Sequence, residues 1–203
     1  MKDGLKFILK NSIIFASVSF TFSMIGAFFP ESEFTFVIGN PLVVSSVTYE
    51  HVLGHIFWGA VIGLGTLSIR YIILGGSFAV FLDADHLLQF LDIELVSRMS
   101  HSIPFAIIVT IVFFIVTRGR NIRICVVAFG AVLSHLAFDI FLADIGFGNT
   151  TTFPLFSPFS LERIEFGGLD WLGIEIIGVA IVAVVSYLYK RKEIKLKNNL
   201  TKT

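Results

Sequence analysis

Six stretches of this chain are apolar enough and long enough to enter a lipid bilayer as helices, at roughly 7–29, 51–69, 71–91, 102–117, 122–143 and 170–189. A helix crosses with about 20 apolar residues. Hydrocarbon offers no partner for backbone N–H and C=O groups, so each such stretch has to close its own hydrogen bonds. The expected architecture is therefore all-α: a polytopic membrane bundle of about six transmembrane helices in one membrane domain over 1–203. It would hold an N-terminal helix within 1–30, a polar-site core over 51–163, a last helix at 170–189 and a basic tail at 190–203. The composition agrees, with 55% hydrophobic residues and 23 phenylalanines, far outside the range of soluble domains. Lys2, Lys6 and Lys10 precede the first stretch, as in a signal peptide. A small-residue cleavage site is poorly formed around Gly26-Ala27, which favours a retained helix. Cys125 is the single cysteine, so no intrachain disulfide forms.

Charge sets the expected orientation. With a cytoplasmic N-terminus and six crossings, 13 of the 15 basic residues fall inside, leaving Arg98 and Arg163 outside. That is the asymmetry of the positive-inside rule, and it places both termini in the cytoplasm and the protein in the plasma (inner) membrane. The basic residues make short clusters at helix ends and a tail, with no basic face, which excludes nucleic acid as a partner. Two long external connections remain, 30–50 and 144–169. The second carries Phe147, Phe153, Phe156, Phe159 and Phe166, which either rest on the membrane interface or cover an outward cavity. Asn149-Thr150-Thr151 fits a glycosylation sequon.

Against this apolar background the run Asp83-Ala84-Asp85-His86 is costly, by a few kcal/mol for each charge held in hydrocarbon. Counting about 1.5 Å per residue from the basic boundaries puts Asp83, Asp85 and His86 at roughly 20–24 Å, and His55 at about 22 Å. The same count puts His135 and Asp139 at roughly 18–24 Å, and His101 at about 26 Å. All lie in the outer third of a core about 30 Å thick. His51 and His55 share a helix face, as do His135 and Asp139. Asp83 and His86 are three apart, whereas Asp85 points away from Asp83 in a regular helix, so either the helix opens at Asp83 or the two carboxylates have different jobs. His51 reads as a polar entrance, Asp92 and Glu94 as solvated loop charges, and Glu175 as a snorkelling or structural group. Interhelical hydrogen bonds explain each histidine singly, but not why three carboxylates and several imidazoles occupy one depth. A bound divalent cation does. Imidazole and carboxylate without thiolate select Zn²⁺ first, with Mn²⁺ or Fe²⁺ as alternatives, and the donor number allows one or two ions.

The order Gly54-His55, Leu82-Asp83-Ala84-Asp85-His86, Ser100-His101-Ser102, Ser134-His135-Leu136-Ala137-Phe138-Asp139 and Pro158-Phe159-Ser160 resembles the YdjM-type membrane-bound metal-dependent hydrolases, SOS-associated inner-membrane proteins. Their signature is GH, PDxDH, HRGxTHS and SHxxxD. The resemblance implies that His55, Asp83, Asp85, His86, His101, His135 and Asp139 are metal or catalytic residues. The chain departs from the signature at Leu82, where the family has proline, and at Val96 and Ser97, where it has histidine and arginine.

The expected function is a membrane-embedded hydrolase acting on a lipid or polyprenyl phosphoester near the outer face. His55, Asp83, His86, His135 and Asp139 would hold the metal, and Asp85 or His101 would orient the attacking water or take its proton. Its partner would be a membrane lipid or lipid-linked substrate; nothing in the sequence sets an oligomeric state. Two other readings compete. One is a divalent-cation or proton transporter, opposed by the scarcity of polar side chains in the inner halves of the helices. The other is a non-catalytic membrane protein with a structural metal.

Overall fold

The computed structural model describes residues 2–29, 38–45, 47–91, 95–148 and 150–200. Asp92, Glu94 and Asn149, read above as surface positions, lie outside these. The elements are α1 (Lys2–Ser23) with a 3₁₀ turn Met24–Phe28, a short α2 (Pro41–Val44), α3 (Tyr49–Leu64), α4 (Ile69–Leu82) continued by a 3₁₀ segment Asp83–Phe90, α5 (Ile103–Val116), α6 (Ile122–Phe147), a hairpin of β1 (Thr151–Phe153) and β2 (Ile164–Phe166), and α7 (Asp170–Leu200).

Helix occurs at all six expected places, but not at equal length. Four stretches are long and apolar enough to cross a membrane: Asp3–Phe28, Ile69–Phe90, Ile122–Asp144 and Asp170–Lys195. By contrast α3 has 16 residues and α5 has 14, about 24 and 21 Å at 1.5 Å per residue. Local chemistry sets both limits. Beyond Leu64 the chain turns, and the Thr66 hydroxyl bonds the Gly63 carbonyl at 2.8 Å. α5 starts at Ile103, where expected, because Ser102 caps it, accepting from the Phe105 amide at 3.3 Å, with Pro104 in the first turn.

α6 is the axis of the bundle, with 89% of its apolar window buried against 22–44% in the other three long helices. Asn121 caps its start, and Gly148 ends it with φ of +63°, the left-handed conformation that suits glycine. α3 and α4 pack closest. A Cβ on Gly59 would lie 2.4 Å from the Gly75 carbonyl oxygen, and one on Gly75 would lie 2.3 Å from that of Gly59. Only paired glycines allow backbones this near. α1 lies on α4 through Phe15 stacked on Phe78 at 4.6 Å, with Ser12 bonded to Ser77. Ser19 donates to the Leu82 carbonyl at 2.6 Å, satisfying an acceptor where α4 stops being α-helical.

The second long connection folds over the end of the bundle opposite Arg70 and Arg123. β1 and β2 pair antiparallel with Thr152 opposite Glu165. The loop is docked by the Ile103 amide on the Leu155 carbonyl and by Ser102 on the Ser157 carbonyl. Its phenylalanines differ in burial. Phe153 is fully buried beneath the hairpin, whereas Phe156 and Phe159 are exposed; the side chain of Phe147 lies outside those described.

Candidate metal centre

Asp83 is the first residue of the 3₁₀ segment. With three residues per turn, positions i and i+3 eclipse, so Asp83, His86 and Gln89 line one face. Asp85 is turned about 120° from them. An eight-residue 3₁₀ run is long, and such runs mark strained or functional segments. The helix therefore opens at Asp83, and the two carboxylates separate as well.

Around Asp83 the neighbours come from its own 3₁₀ segment and from three other places, α3, the turn before α5, and α6. Its Oδ1 lies 3.2 Å from His135 Nε2, 3.6 Å from His86 Nε2 and 3.7 Å from His101 Nε2. Its Oδ2 lies 3.4 Å from His51 Nε2 and 3.6 Å from His55 Nε2. Asp139 completes the group, with Oδ1 3.3 Å from His55 Nε2 and Oδ2 3.7 Å from both His101 and His135. His51 and His55 approach to 2.9 Å through their Nε2 atoms, and His101 and His135 to 3.0 Å. Four sets of three donors each fall close enough to hold a metal ion: His51–His55–Asp83, His55–His135–Asp139, Asp83–His101–His135 and Asp83–Asp85–His86.

The far nitrogens explain the ring orientations. His135 donates its Nδ1–H to the Ala79 carbonyl at 2.7 Å, and His86 donates its own to Gln89 Oε1 at 2.9 Å. Both therefore turn a lone pair on Nε2 toward Asp83, the arrangement that outer hydrogen bonds impose on metal-binding histidines. Gln89 is held in turn by Ser45, to which its amide donates at 2.7 Å. His101 has Asp85 behind it: Asp85 Oδ2 is 3.8 Å from His101 Nδ1 and accepts from Ser100 at 3.2 Å. Phe153 lies parallel to the His101 ring, with centroids 5.9 Å apart, and the Arg98 guanidinium lies over the Phe153 ring, 5.0 Å from its centroid.

Arg98 has φ of +60° and stands where the family signature has glycine, which takes that conformation without strain. Beside it, Arg163 bonds Thr152 through its hydroxyl and carbonyl; burial and the Arg98 charge push the Arg163 guanidinium down to about 10, still cationic at neutral pH. Val96 is buried among the α1 contacts, its amide on the Gly26 carbonyl, so the missing family histidine falls on a core position. Two expectations change. His51 is a member of the cluster as well as its open edge, with 19% of its side chain exposed. Glu175 is buried at 4% exposure, so it does not snorkel, and it stands apart from the His/Asp group. Of the residues that support the group, Gln89 has no role in the reading from sequence, although its place three residues after His86 is a legible spacing signal; Ser100 stands there only within a motif and Phe153 only among the loop phenylalanines.

A cavity of about 340 Å³ opens beside the cluster between α2, α3 and the 3₁₀ segment. His55, Asp83 and His86 form its polar end, and Pro41, Leu42, Val52, Val80, Leu87 and Phe90 its walls. Leu42, Leu87 and Phe90 are also exposed on the outer surface, so the apolar end is continuous with the side of the bundle.

Fold and site together define a helical membrane protein with a buried His/Asp group able to hold a metal ion. A family model, the YdjM inner membrane protein, matches residues 47–200, and the chain belongs to that family. The match runs from the start of α3 through α7 and leaves α1 outside. No curated protein and no solved structure matches the chain significantly.

Proposed function

We propose that this protein is a metal-dependent hydrolase working within the membrane on a lipid or polyprenyl phosphoester, with Zn²⁺ as the first choice of ion and Mn²⁺ or Fe²⁺ as alternatives. One observation carries the reading: a group of three aspartates and five histidines presents His55, Asp83 and His86 as the polar end of an apolar cavity that opens on the side of the bundle. Such a cavity suits an amphiphile whose headgroup reaches the donors while its chain stays among Leu42, Leu87 and Phe90. The donor chemistry fits a borderline divalent ion. Zn–N and Zn–O bonds of about 2.0–2.1 Å place tetrahedral ligands about 3.3 Å apart, and the donor contacts around Asp83 run from 3.2 to 3.7 Å.

In this reading His55, Asp83, His86, His135 and Asp139 hold the metal. A divalent ion there supplies Lewis acidity, polarising the ester and acidifying water in its shell. Asp85 lies 3.8 Å from His101 Nδ1, and one of the two would orient the attacking water or take its proton. Phe153 and the hairpin shield that side from bulk water, which strengthens the charge interactions within. Orientation with both termini in the cytoplasm places this chemistry at the outer face.

The test is phosphate release from phosphatidic acid or a polyprenyl phosphate in mixed micelles, with metal content measured in parallel. Activity should vanish on chelation and in Asp83→Asn and His135→Ala while both variants still insert. A native protein that neither retains nor takes up Zn²⁺, Mn²⁺ or Fe²⁺ would sink the proposal.

A further inference from the structure

The donors divide by which carboxylate oxygen they face. Asp83 Oδ2 faces His51 and His55, and Asp139 Oδ1 faces His55. Asp83 Oδ1 and Asp139 Oδ2 face a second set, His101 and His135, with His86 also 3.6 Å from Asp83 Oδ1. Each aspartate thus stands between the two sets and offers one oxygen to each. In each set three donors lie close enough together to hold an ion, His51–His55–Asp83 and Asp83–His101–His135; with His101 a donor, Asp85 is left as the group for the proton.

The imidazoles repeat the division. The His55 and His135 rings are parallel within 5°, with centroids 3.7 Å apart, and both Nε2 atoms point into the Asp83–Asp139 carboxylates. Two parallel rings direct their nitrogens along separate lines rather than to a common point. Their separation is that of the ions in two-metal hydrolytic sites, about 3.5–4 Å.

We infer that the centre is binuclear, with Asp83 and Asp139 as bridging carboxylates and His51, outside every family motif, as a ligand of the ion at the open edge. The inference rests on the metal-dependent reading above and deepens it. It also gives His51 a role that a polar entrance does not require. Its Nε2 sits 2.9 Å from His55 Nε2 and 3.4 Å from Asp83 Oδ2, so the open-edge set is complete without a histidine at position 96. A two-ion site is the form suited to phosphoester chemistry, because one ion can meet the attacking oxygen and the other the leaving oxygen.

The experiment uses the full chain in detergent, stripped by chelator and reloaded with Mn²⁺ or Zn²⁺. The readouts are metal per chain by mass spectrometry and the low-temperature electron paramagnetic resonance of the Mn²⁺ form. The native protein should hold two ions per chain and show a spin-coupled manganese pair. His51→Gln should hold one, with the spectrum of isolated Mn²⁺, and Asp83→Asn should lose the coupling. If His51→Gln fails to purify as a single species, His55→Gln removes a donor of the same set and reads the same loss. One uncoupled ion in the native protein overturns the binuclear centre and leaves the hydrolase reading standing. No ion at all overturns both, and two coupled ions in His51→Gln overturn the place given to His51.

Discussion

Gly75→Ala is expected to damage the centre from a distance, because the glycine contact between α3 and α4 sets the spacing of two of its walls. A methyl at position 75 would lie 2.3 Å from the Gly59 carbonyl oxygen, whereas ordinary contact begins near 3.4 Å. The helices must part by about 1 Å, since the obstacle is backbone and has no rotamer to change. Overpacking of this kind costs about 1–3 kcal/mol. The same shift separates His51 and His55 on α3 from Asp83 and His86 beyond α4, where donor contacts now run from 3.4 to 3.6 Å. A displacement of about 1 Å in a catalytic constellation loses on the order of 10²-fold in rate. Thermal unfolding in detergent and metal competition against a chromophoric chelator read the two effects separately. The control is Gly173→Ala on α7, where an added Cβ meets nothing within 4 Å and helix propensity gains about 0.5–1 kcal/mol. Native melting temperature and metal affinity in Gly75→Ala would refute the argument that this contact positions the site.

Other substitutions probe the supports of the centre. Gln89→Leu removes the acceptor for His86 Nδ1 and the link to Ser45, so metal affinity should fall about 10–100-fold, and Gln89→Glu, which keeps an acceptor, should recover most of it in the same competition assay. Phe153→Ala empties a fully buried site against His101 and Arg98; it should lower stability by about 3–5 kcal/mol, measured by denaturant unfolding in micelles. Glu175→Gln should leave metal content unchanged, because the carboxylate stands apart from the cluster, and should not lower the melting temperature, because neither oxygen has a hydrogen-bond partner among the described residues. A loss of bound metal in that variant would show that α7 contributes to the site.

The sequence carried most of the site and less of the fold. His135 and Asp139 were legible because a regular helix makes the i+4 relation rigid, and the shared depth of four segments could be counted from the basic boundaries. What could not be counted was the change of helix type at Asp83. Nothing in Leu82-Asp83-Ala84 breaks an α-helix, so the 3₁₀ face that aligns Asp83 with His86 and Gln89 appears only once Ser19 of α1 is seen to take the Leu82 carbonyl. His51 was assigned to the entrance because depth alone put it one turn too far out. The local geometry of Asp83, with its second oxygen turned outward, brings it into range. The length of α3 was overestimated because hydropathy continues past Leu64 into the turn at Thr66 that ends it.

The distribution of buried groups also bears on whether the cluster is a station on an ion path. A path needs successive polar or ionisable side chains through the bundle, since each unsolvated charge in hydrocarbon costs several kcal/mol. The buried histidines and carboxylic acids among the described residues are His55, Asp85, His101, His135 and Glu175, and all lie toward the end closed by the hairpin. Toward Arg70 and Arg123 the centre of the bundle is filled by Ile62, Leu74, Phe78, Phe113, Ile124 and Val127, each fully buried. There Tyr71 and Asn121 join the starts of α4 and α6 through a 2.7 Å hydrogen bond. A cation leaving Asp83 in that direction would meet stacked phenylalanine, Phe78 against Phe113 with centroids 5.1 Å apart, and no ligand. A site open at one side and sealed by apolar packing below retains its ion, as a catalytic centre must. Proteoliposomes carrying the native protein should therefore show no Zn²⁺ or Mn²⁺ flux above empty vesicles, and flux abolished by Asp83→Asn would overturn this reading in favour of transport.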